Sequence, residues 1–125
     1  MFRCSLNASV LNTCFLTKIE LPPIFLSEVF GHGIIGDEDK ISRTYIFVND
    51  SGEKFILHDW KSTSRYFMDA APAPTPEQFW NDGQFVELHI GGAIGSNPSQ
   101  FITWLIEQYE NFRYESLVRQ IHKYL

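Results

Sequence analysis

Alternation of apolar and polar residues predicts four strands along the chain. Residues 15–21 and 85–90 alternate with a period of two, which is typical of a half-buried strand. Residues 41–48 and 55–60 are rich in β-branched and aromatic side chains, and residues 49–53 between them supply the Asn, Asp, Ser and Gly of a turn. These two segments therefore predict a β-hairpin.

Proline, glycine and capping positions predict three helices. Residues 23–30 follow prolines that suit a first helical turn, and Gly31 ends the segment where a positive φ is needed. Thr75, followed by a proline, opens a short helix at residues 77–80. The last helical segment, residues 98–125, begins at a proline and contains no Gly or Pro after it.

The apolar residues of this last segment lie on two different stripes. With about 100° of rotation per residue, the second stripe is turned by well over 90° from the first, so a straight helix exposes one of them. We therefore expect either a break near residues 111–115 or a second stripe that meets another chain. The first stripe is Phe101, Trp104, Leu105, Tyr109 and Phe112, and the second is Leu117, Val118, Ile121 and Leu125.

Together these elements predict a single α+β domain over residues 1–125. The chain has 125 residues, of which 44% are hydrophobic, enough to bury an ordinary core. We expect two layers, in which a mostly antiparallel sheet of four or five strands packs against the short N-terminal helix and the C-terminal helices. The fifth strand would come from part of residues 2–11. Aromatic residues make up 15% of the chain, so they fill this core or form a surface.

Charge and cysteine usage narrow the function classes. With 10 Lys+Arg against 15 Asp+Glu the net charge is −5, and no basic run is present, so nucleic acid is a poor partner. No apolar stretch approaches the ~18 residues of a membrane span, and polar residues interrupt the N-terminal segment where a secretory signal is apolar. We predict a cytoplasmic protein without a membrane partner. Cys4 and Cys14 could form a bridge, but reduced thiols are expected, and neither a metal nor a cofactor is predicted.

The strand phases predict a binding surface. If helices cover only one side of the sheet, the far side collects large side chains with polar tips, which dominate binding hot spots. The alternative is that helices cover both sides, or that a loop folds over these aromatic residues. The predicted surface consists of Arg43, Tyr45, His58, Trp60, Glu87 and His89.

A second candidate is an anion site. Lys61, Ser64 and Arg65 follow a predicted strand and carry the groups that bind a carboxylate or a phosphate. A glycine-rich turn comes before the last helix, whose first N–H groups attract anions. The turn lacks the Lys-Ser/Thr of a Walker A motif, so a plain strand-to-helix turn beside a solvated loop is the alternative. The candidate residues of the turn are Gly91, Gly92, Gly95 and Ser96.

Two histidines form a third candidate. His58 and His89 share a predicted face with Glu87, and this group could move a proton or hold a metal if the two strands are neighbours. Two ordinary surface histidines are the alternative. No catalytic motif is matched, so no catalytic residue is assigned and the balance is against an enzyme.

These observations favour a small, non-enzymatic interaction module, such as a regulator, an inhibitor or an immunity-type protein. It would bind a protein partner through the aromatic sheet face or the C-terminal helix, and its acidic charge favours a basic partner. The second stripe of that helix also predicts a possible homodimer. The alternative is a protein that binds a nucleotide or another small anion through Lys61, Arg65 and residues 91–96, or a small hydrolase or isomerase that uses the two histidines.

Overall fold

Six strands and four helices occupy the described part of the chain, which comprises residues 1–36, 39–68 and 72–124 of the computed structural model. The predicted α+β fold is confirmed, with six strands where four or five were expected. In chain order the elements are β1 (Phe2–Ser5), β2 (Cys14–Leu21), α1 (Pro23–Phe30), β3 (Ile34–Ile35), β4 (Arg43–Asn49), β5 (Lys54–His58), α2 (Ser64–Phe67), α3 (Pro76–Trp80), β6 (Val86–Gly92) and α4 (Ser99–Lys123).

The strands form one sheet in the order β1-β4-β5-β6-β2, and β3 pairs with the start of β4 on the same edge as β1. Each of these pairings is antiparallel. The predicted hairpin consists of β4 and β5, whose register places Thr44 opposite His58 and Phe47 opposite Phe55. Gly52, with φ of 83°, lies in the turn between them. The hairpin is therefore confirmed.

Helices α1, α3 and α4 cover one face of the sheet and bury an aromatic core. Phe55 on β5 stacks against Phe101 on α4, with ring centroids 5.2 Å apart and planes 5° apart. Phe2 on β1 and Phe47 on β4 contact the same Phe101 ring at 5.4 and 5.2 Å. Each aromatic side chain buries roughly 150–250 Å², so this cluster dominates the energetics of the core. Much of the aromatic excess in the sequence is therefore packing.

Local rules set the ends of α1 and α3. Pro23 lies in the first turn of α1, and Gly31 ends the helix with φ of 79° while its N–H donates to the Ser27 carbonyl at 3.1 Å. At α3 the Thr75 hydroxyl accepts from the Gln78 N–H at 3.1 Å, and the Gln78 side chain accepts from the Thr75 N–H at 3.0 Å. This reciprocal capping box satisfies two donors that a helix start leaves free. Both short helices were predicted from these residues.

Helix α4 is continuous, so of the two predicted alternatives the break near residues 111–115 is wrong. Its first half packs on the core as far as Phe112. The second stripe is left exposed instead, with Leu117 and Ile121 54% and 51% accessible. The helix needs no break because the stripe faces solvent in the single chain. Leu125, the last member of the predicted stripe, lies outside the described residues.

Three local elements differ from the sequence predictions. The short strand β3 and the one-turn helix α2 occupy segments in which neither a strand nor a helix was predicted. Strand β6 continues through Gly92 because Gly91 and Gly92 pair with β2 on one side and β5 on the other. In the described part of the chain, none of the helices combines the length and hydropathy that crossing a bilayer requires.

Cys4 and Cys14 are free thiols on opposite edges of the sheet. Four strand spacings separate them by about 19 Å, whereas the Cα atoms of a disulfide lie within ~7 Å. The two residues therefore cannot bridge within one chain. Burial raises the pKa of Cys4, which makes this thiol a poor nucleophile. The strand register aligns five residues in one row across the sheet, with the two cysteines at its ends: Cys4, Phe47, Phe55, Gly92 and Cys14.

The connection between β1 and β2 crosses the other face of the sheet. Because β1 and β2 lie at opposite edges, residues 6–13 must pass the three strands between them. The Lys54 ammonium on β5 donates to the Ser9 carbonyl at 2.6 Å, and Val10 and Thr13 lie against the same face. We call this side, which α1, α3 and α4 do not cover, the open face. The space beneath the crossing connection is the candidate site.

Candidate functional site

A cavity of about 610 Å³ lies between the crossing connection and the open face. Small-molecule sites occupy roughly 300–1,000 Å³, so this volume is that of a ligand site. We call it the sheet-face cavity. Its basic side chains are Lys18, His58 and His89. Its apolar and aromatic lining includes Val10, Phe15, Ile41, Ile56 and Trp60.

The two histidines meet across the β5–β6 pair. The register places His58 directly opposite His89, and their ring centroids are 5.8 Å apart. The condition set by the sequence, that their strands be neighbours, is therefore fulfilled. Side chains directly opposite each other in an antiparallel pair interact, so the two imidazoles form one polar unit in the cavity wall.

One hydrogen bond fixes the buried imidazole of His58. Its Nδ1 lies 2.8 Å from the backbone carbonyl oxygen of Asp59. A carbonyl oxygen only accepts, so Nδ1 carries the proton and donates, and the Nε2 of the neutral ring is an acceptor. His58 therefore offers Nε2 to a ligand that donates a hydrogen bond.

His89 lies between two aromatic rings. Trp60 stacks on it with centroids 5.7 Å apart and planes 16° apart, and the Phe15 centroid lies at 4.8 Å. Burial lowers the pKa of His89, the nearby His58 and Lys18 lower it further, and Glu87 opposes them. The ordinary value is 6.5, so a lowered pKa keeps this imidazole neutral at neutral pH.

Glu87 and Lys18 form an exposed ion pair next to the histidines. The Lys18 ammonium lies 3.2 Å from Glu87 Oε1, and the same oxygen lies 4.0 Å from His89 Nε2. Exposed pairs of this kind contribute little to stability, about 0 to 1 kcal/mol. The Lys18 ammonium can therefore leave Glu87 and pair with an acidic group of a ligand, with little loss of stability.

Lysines also surround the Trp60 ring, which is 38% exposed. The ammonium groups of Lys40 and Lys61 lie 5.7 and 5.6 Å from its centroid, and that of Lys61 lies 5.3 Å from the Tyr66 centroid. Cations over aromatic faces hold the ring orientation by about 0.5–1 kcal/mol at exposed sites. The sheet-face cavity thus has aromatic walls with positive charge around Trp60.

Gly91 lines the cavity at a position where a larger side chain does not fit. A Cβ added there would lie 2.8 Å from Ile56 Cγ1 and 2.9 Å from the Cys14 carbonyl oxygen, closer than real Cβ atoms come. Gly91 and Gly92 are strand residues with neighbours on both sides, so they do not lie in the turn in which they were predicted. Gly95, with φ of 80°, and Ser96 remain in the turn, where the Ser96 N–H donates to the Ala93 carbonyl.

Tyr45 and Arg43 lie on the helix-covered side, so the prediction that they share a face with His58 is wrong. Thr44 is opposite His58, which places Tyr45 opposite Leu57 in the core. Tyr45 is fully buried, and its hydroxyl donates to the Gly31 carbonyl at 2.7 Å. Burial raises the pKa of this phenol, although the Arg43 cation opposes the effect. Strand β4 is apolar on both faces, which is why its phase was misread.

The predicted anion cluster does not converge either. Lys61 lies against Trp60, whereas Arg65 extends to a second cavity that Arg43 also lines. Ser64 opens α2, with its N–H donating to the Pro74 carbonyl. The predicted site residues are therefore dispersed over several parts of the fold. The sheet-face cavity region contains His58, Trp60, Lys61, Glu87 and His89.

Phe15 and Lys18 were not predicted as site residues. Strict alternation places them on opposite faces of β2, but the register shifts between Phe15 and Thr17. This bulge puts Phe15 opposite Gly91 and Lys18 opposite His89, so both side chains reach the open face. Nothing in the residue types of β2 marks the bulge.

Among the described residues, no group of three or more His, Cys, Asp or Glu side chains is placed so that it could hold a metal ion. In this described part of the chain, every buried side-chain nitrogen and oxygen has a hydrogen-bond partner. A ligand in the sheet-face cavity would therefore contact polar atoms that are at least partly exposed, such as the Lys18 ammonium.

Comparison with known proteins adds no relative. No protein-family model matches the chain, and a search of the curated proteins found no match. Fold and site therefore define the class: an α+β protein with a ligand-sized cavity on the open face of its sheet.

Proposed function

We propose that this protein binds a small, planar, largely apolar molecule that carries one acidic or hydrogen-bonding group. One observation carries the proposal: a cavity of about 610 Å³ whose wall contains the His58–His89 pair, with ring centroids 5.8 Å apart. Apolar cavities with a few convergent polar groups and a shifted pKa are the usual form of a ligand site. Binding, rather than catalysis, is the proposed role.

The lining sets the chemistry of the ligand. Aromatic rings of Phe15 and Trp60 and the aliphatic side chain of Ile56 favour a flat apolar body. The Nε2 acceptor of His58 would receive a ligand O–H or N–H. The Lys18 ammonium would pair with a ligand carboxylate, which would replace Glu87 as its partner.

Calorimetric titration with 2-naphthoate and its neutral analogue 2-naphthamide tests this proposal. We expect saturable binding of at least one probe at about millimolar strength or better, as for a small fragment. Lys18→Met should weaken the naphthoate and leave the naphthamide unchanged, because the substitution removes the charge and keeps the length of the side chain.

A matched pair of variants locates the binding. Thr44→Trp fills the sheet-face cavity and should abolish binding, whereas Val48→Trp, on the same face of the same strand outside the cavity lining, should preserve it. Binding that survives Thr44→Trp in a folded protein, or no binding of either probe to the wild type, would contradict the proposal.

A second proposal is a protein partner, carried by the exposed half of α4. Apolar and aromatic side chains recur there at spacings of three, four and three residues, which is the seam of a helix–helix contact: Tyr114, Leu117, Ile121 and Tyr124. The proposed partner is a second copy of the chain or another protein that the chain regulates or inhibits. Sedimentation of the wild type and of a Leu117→Lys/Ile121→Lys variant tests the homodimer, and a monomeric wild type rules it out.

We also propose that the protein works in the cytoplasm. Its two cysteines are free and cannot pair within the chain, which fits a reducing compartment. Cell fractionation with a tag placed after residue 124 checks the location, and recovery of the protein outside the cytoplasm would contradict it.

A further inference from the structure

A second cavity, of about 490 Å³, lies where α1, α2, α3 and the start of β4 meet. The guanidinium groups of Arg43 and Arg65, which are far apart in the sequence, both line it. We propose that this arginine cavity binds the phosphate or carboxylate group of a small anionic ligand. The site is separate from the sheet-face cavity, since Arg43 lies on the opposite side of β4 from Thr44.

Arg43 is held in place before any ligand arrives. Its backbone N–H donates to Asp59 Oδ1 at 3.1 Å, and the same carboxylate accepts from the Ser42 N–H and hydroxyl at 2.8 and 2.7 Å. Its guanidinium lies over the Trp80 ring, 5.5 Å from the centroid, and donates to Ser27 Oγ at 3.2 Å. A guanidinium has five N–H donors, so it can bind a ligand while it keeps this contact. The position over Trp80 fixes its orientation.

Arg65 adds the second cation from α2. That helix is tied down by the Ser64 N–H, which donates to the Pro74 carbonyl at 2.8 Å, and by Thr63, which is buried. Arg65 Nη1 lies 3.5 Å from the Ile41 carbonyl, a contact too long to engage it fully. A ligand in the cavity can therefore draw on its fork of donors.

The charge of the arginine cavity favours an anion. Two guanidinium groups line it against one described carboxylate, that of the exposed Glu77. Within the described ranges, no ion pair joins either arginine to an acidic side chain. The Asp59 carboxylate is occupied by β4 itself. Half-buried cations are most stable next to an anion, so an oxyanion would stabilise both groups.

The two guanidinium groups determine which ligands fit the arginine cavity. A guanidinium pairs with carboxylate and phosphate oxygens through two parallel N–H···O bonds, so two of them fit a phosphate or a short dicarboxylate. Asn81, at the end of α3, and His32 also line the cavity and can contribute further donors.

Titration calorimetry at low ionic strength with inorganic phosphate and with succinate tests the inference. We expect saturable binding, and the tighter of the two probes identifies the oxyanion. Arg65→Gln should weaken it by about tenfold or more, as expected when a charged hydrogen-bond pair is lost. Arg43→Lys keeps the charge but not the fork, and should weaken it as well. The control Arg119→Gln removes an equal charge from the exposed side of α4 and should have no effect.

Two outcomes would overturn the inference: neither probe binds the wild type, or each probe binds the Arg65→Gln and wild-type proteins equally. Arg65→Gln should leave naphthoate binding unchanged, so failure here is distinguishable from failure of the sheet-face proposal. Circular dichroism of each variant confirms that it is folded.

Discussion

On the helix-covered face of the sheet, Phe47 and Phe55 pack against aromatic rings of α4, and Leu57 is buried in the same core. On the other face of the same two strands, Thr44 and His58 line a cavity under a loop. The two faces belong to the same strands and share the same backbone hydrogen bonds. Side chains are closely packed on one face, whereas the other face borders a cavity. The difference lies in what crosses each face: helices with interlocking rings, or an eight-residue connection.

This comparison separates stability from binding. Close packing against helices makes a face sensitive to every lost methylene group, because cavities in a core are costly. A face that is covered by a loop tolerates side chains that do not fill the space, and this freedom permits a ligand site. Substitutions on the two faces should therefore have different consequences.

The largest difference is expected between two phenylalanines on strands. Phe55→Ala should lower the free energy of unfolding by about 3–5 kcal/mol because it empties the stack on Phe101. Phe15→Ala, on the open face and 55% exposed, should lower it by less than about 1 kcal/mol. Urea denaturation measures both. Equal losses would break the distinction between the faces.

A smaller effect is expected at the cavity floor. Gly91→Ala should lower the free energy of unfolding by about 1–3 kcal/mol, because its Cβ meets Ile56 and a backbone oxygen that cannot move freely. Gly83→Ala is the matched control, since a Cβ there meets no atom within 4 Å, and it should stay within about 0.5 kcal/mol. Identical unfolding curves for both variants would show that Ile56 and the backbone around Gly91 leave room for a methyl group, which would contradict the close packing.

The smallest effect concerns pH. The lowered pKa of His89 means that the unfolded chain takes up a proton at a higher pH than the folded protein does. Stability is therefore fully present above the ordinary value of 6.5 and declines as the pH falls from there through the folded pKa.

His89→Gln should remove this part of the pH dependence. Denaturant unfolding at about pH 7.5 and about pH 5 compares the variant with the wild type, and the difference between the two pH values should shrink. His122→Gln, on the exposed end of α4, is the control and should behave like the wild type. An unchanged pH dependence in His89→Gln would contradict the assignment.

Local rules predicted the parts of the fold that depend on neighbours in sequence. The β4–β5 hairpin followed from its turn, α3 from the Thr75 cap, and the core-facing Val86, Leu88 and Ile90 from strict alternation. Helix α4 was predicted in extent, and its continuity was one of two alternatives that the sequence left open. Its exposed stripe violates the expectation that apolar rows are buried, and periodicity cannot tell a break from an exposed face.

The site depended on information that the sequence does not carry locally. His58 and His89 were identified as candidates, but their meeting required β5 and β6 to be neighbours, which is a matter of sheet order. Tyr45 was placed on the wrong face because β4 is apolar on both sides. Phe15 and Lys18 reach the same face only through the bulge in β2. Long-range pairing therefore assembles the cavity.

The most direct test of the central claim is to observe the aromatic rings of both faces while a ligand is added. Aromatic ¹H–¹³C spectra of the wild type during titration with 2-naphthoate should show saturable shifts for Phe15, His58 and His89. The rings of Phe47 and Phe101, on the helix-covered face, should stay unchanged. Shifts confined to the helix-covered rings, or no saturable shift on the open face with either naphthoate or naphthamide, would contradict the account.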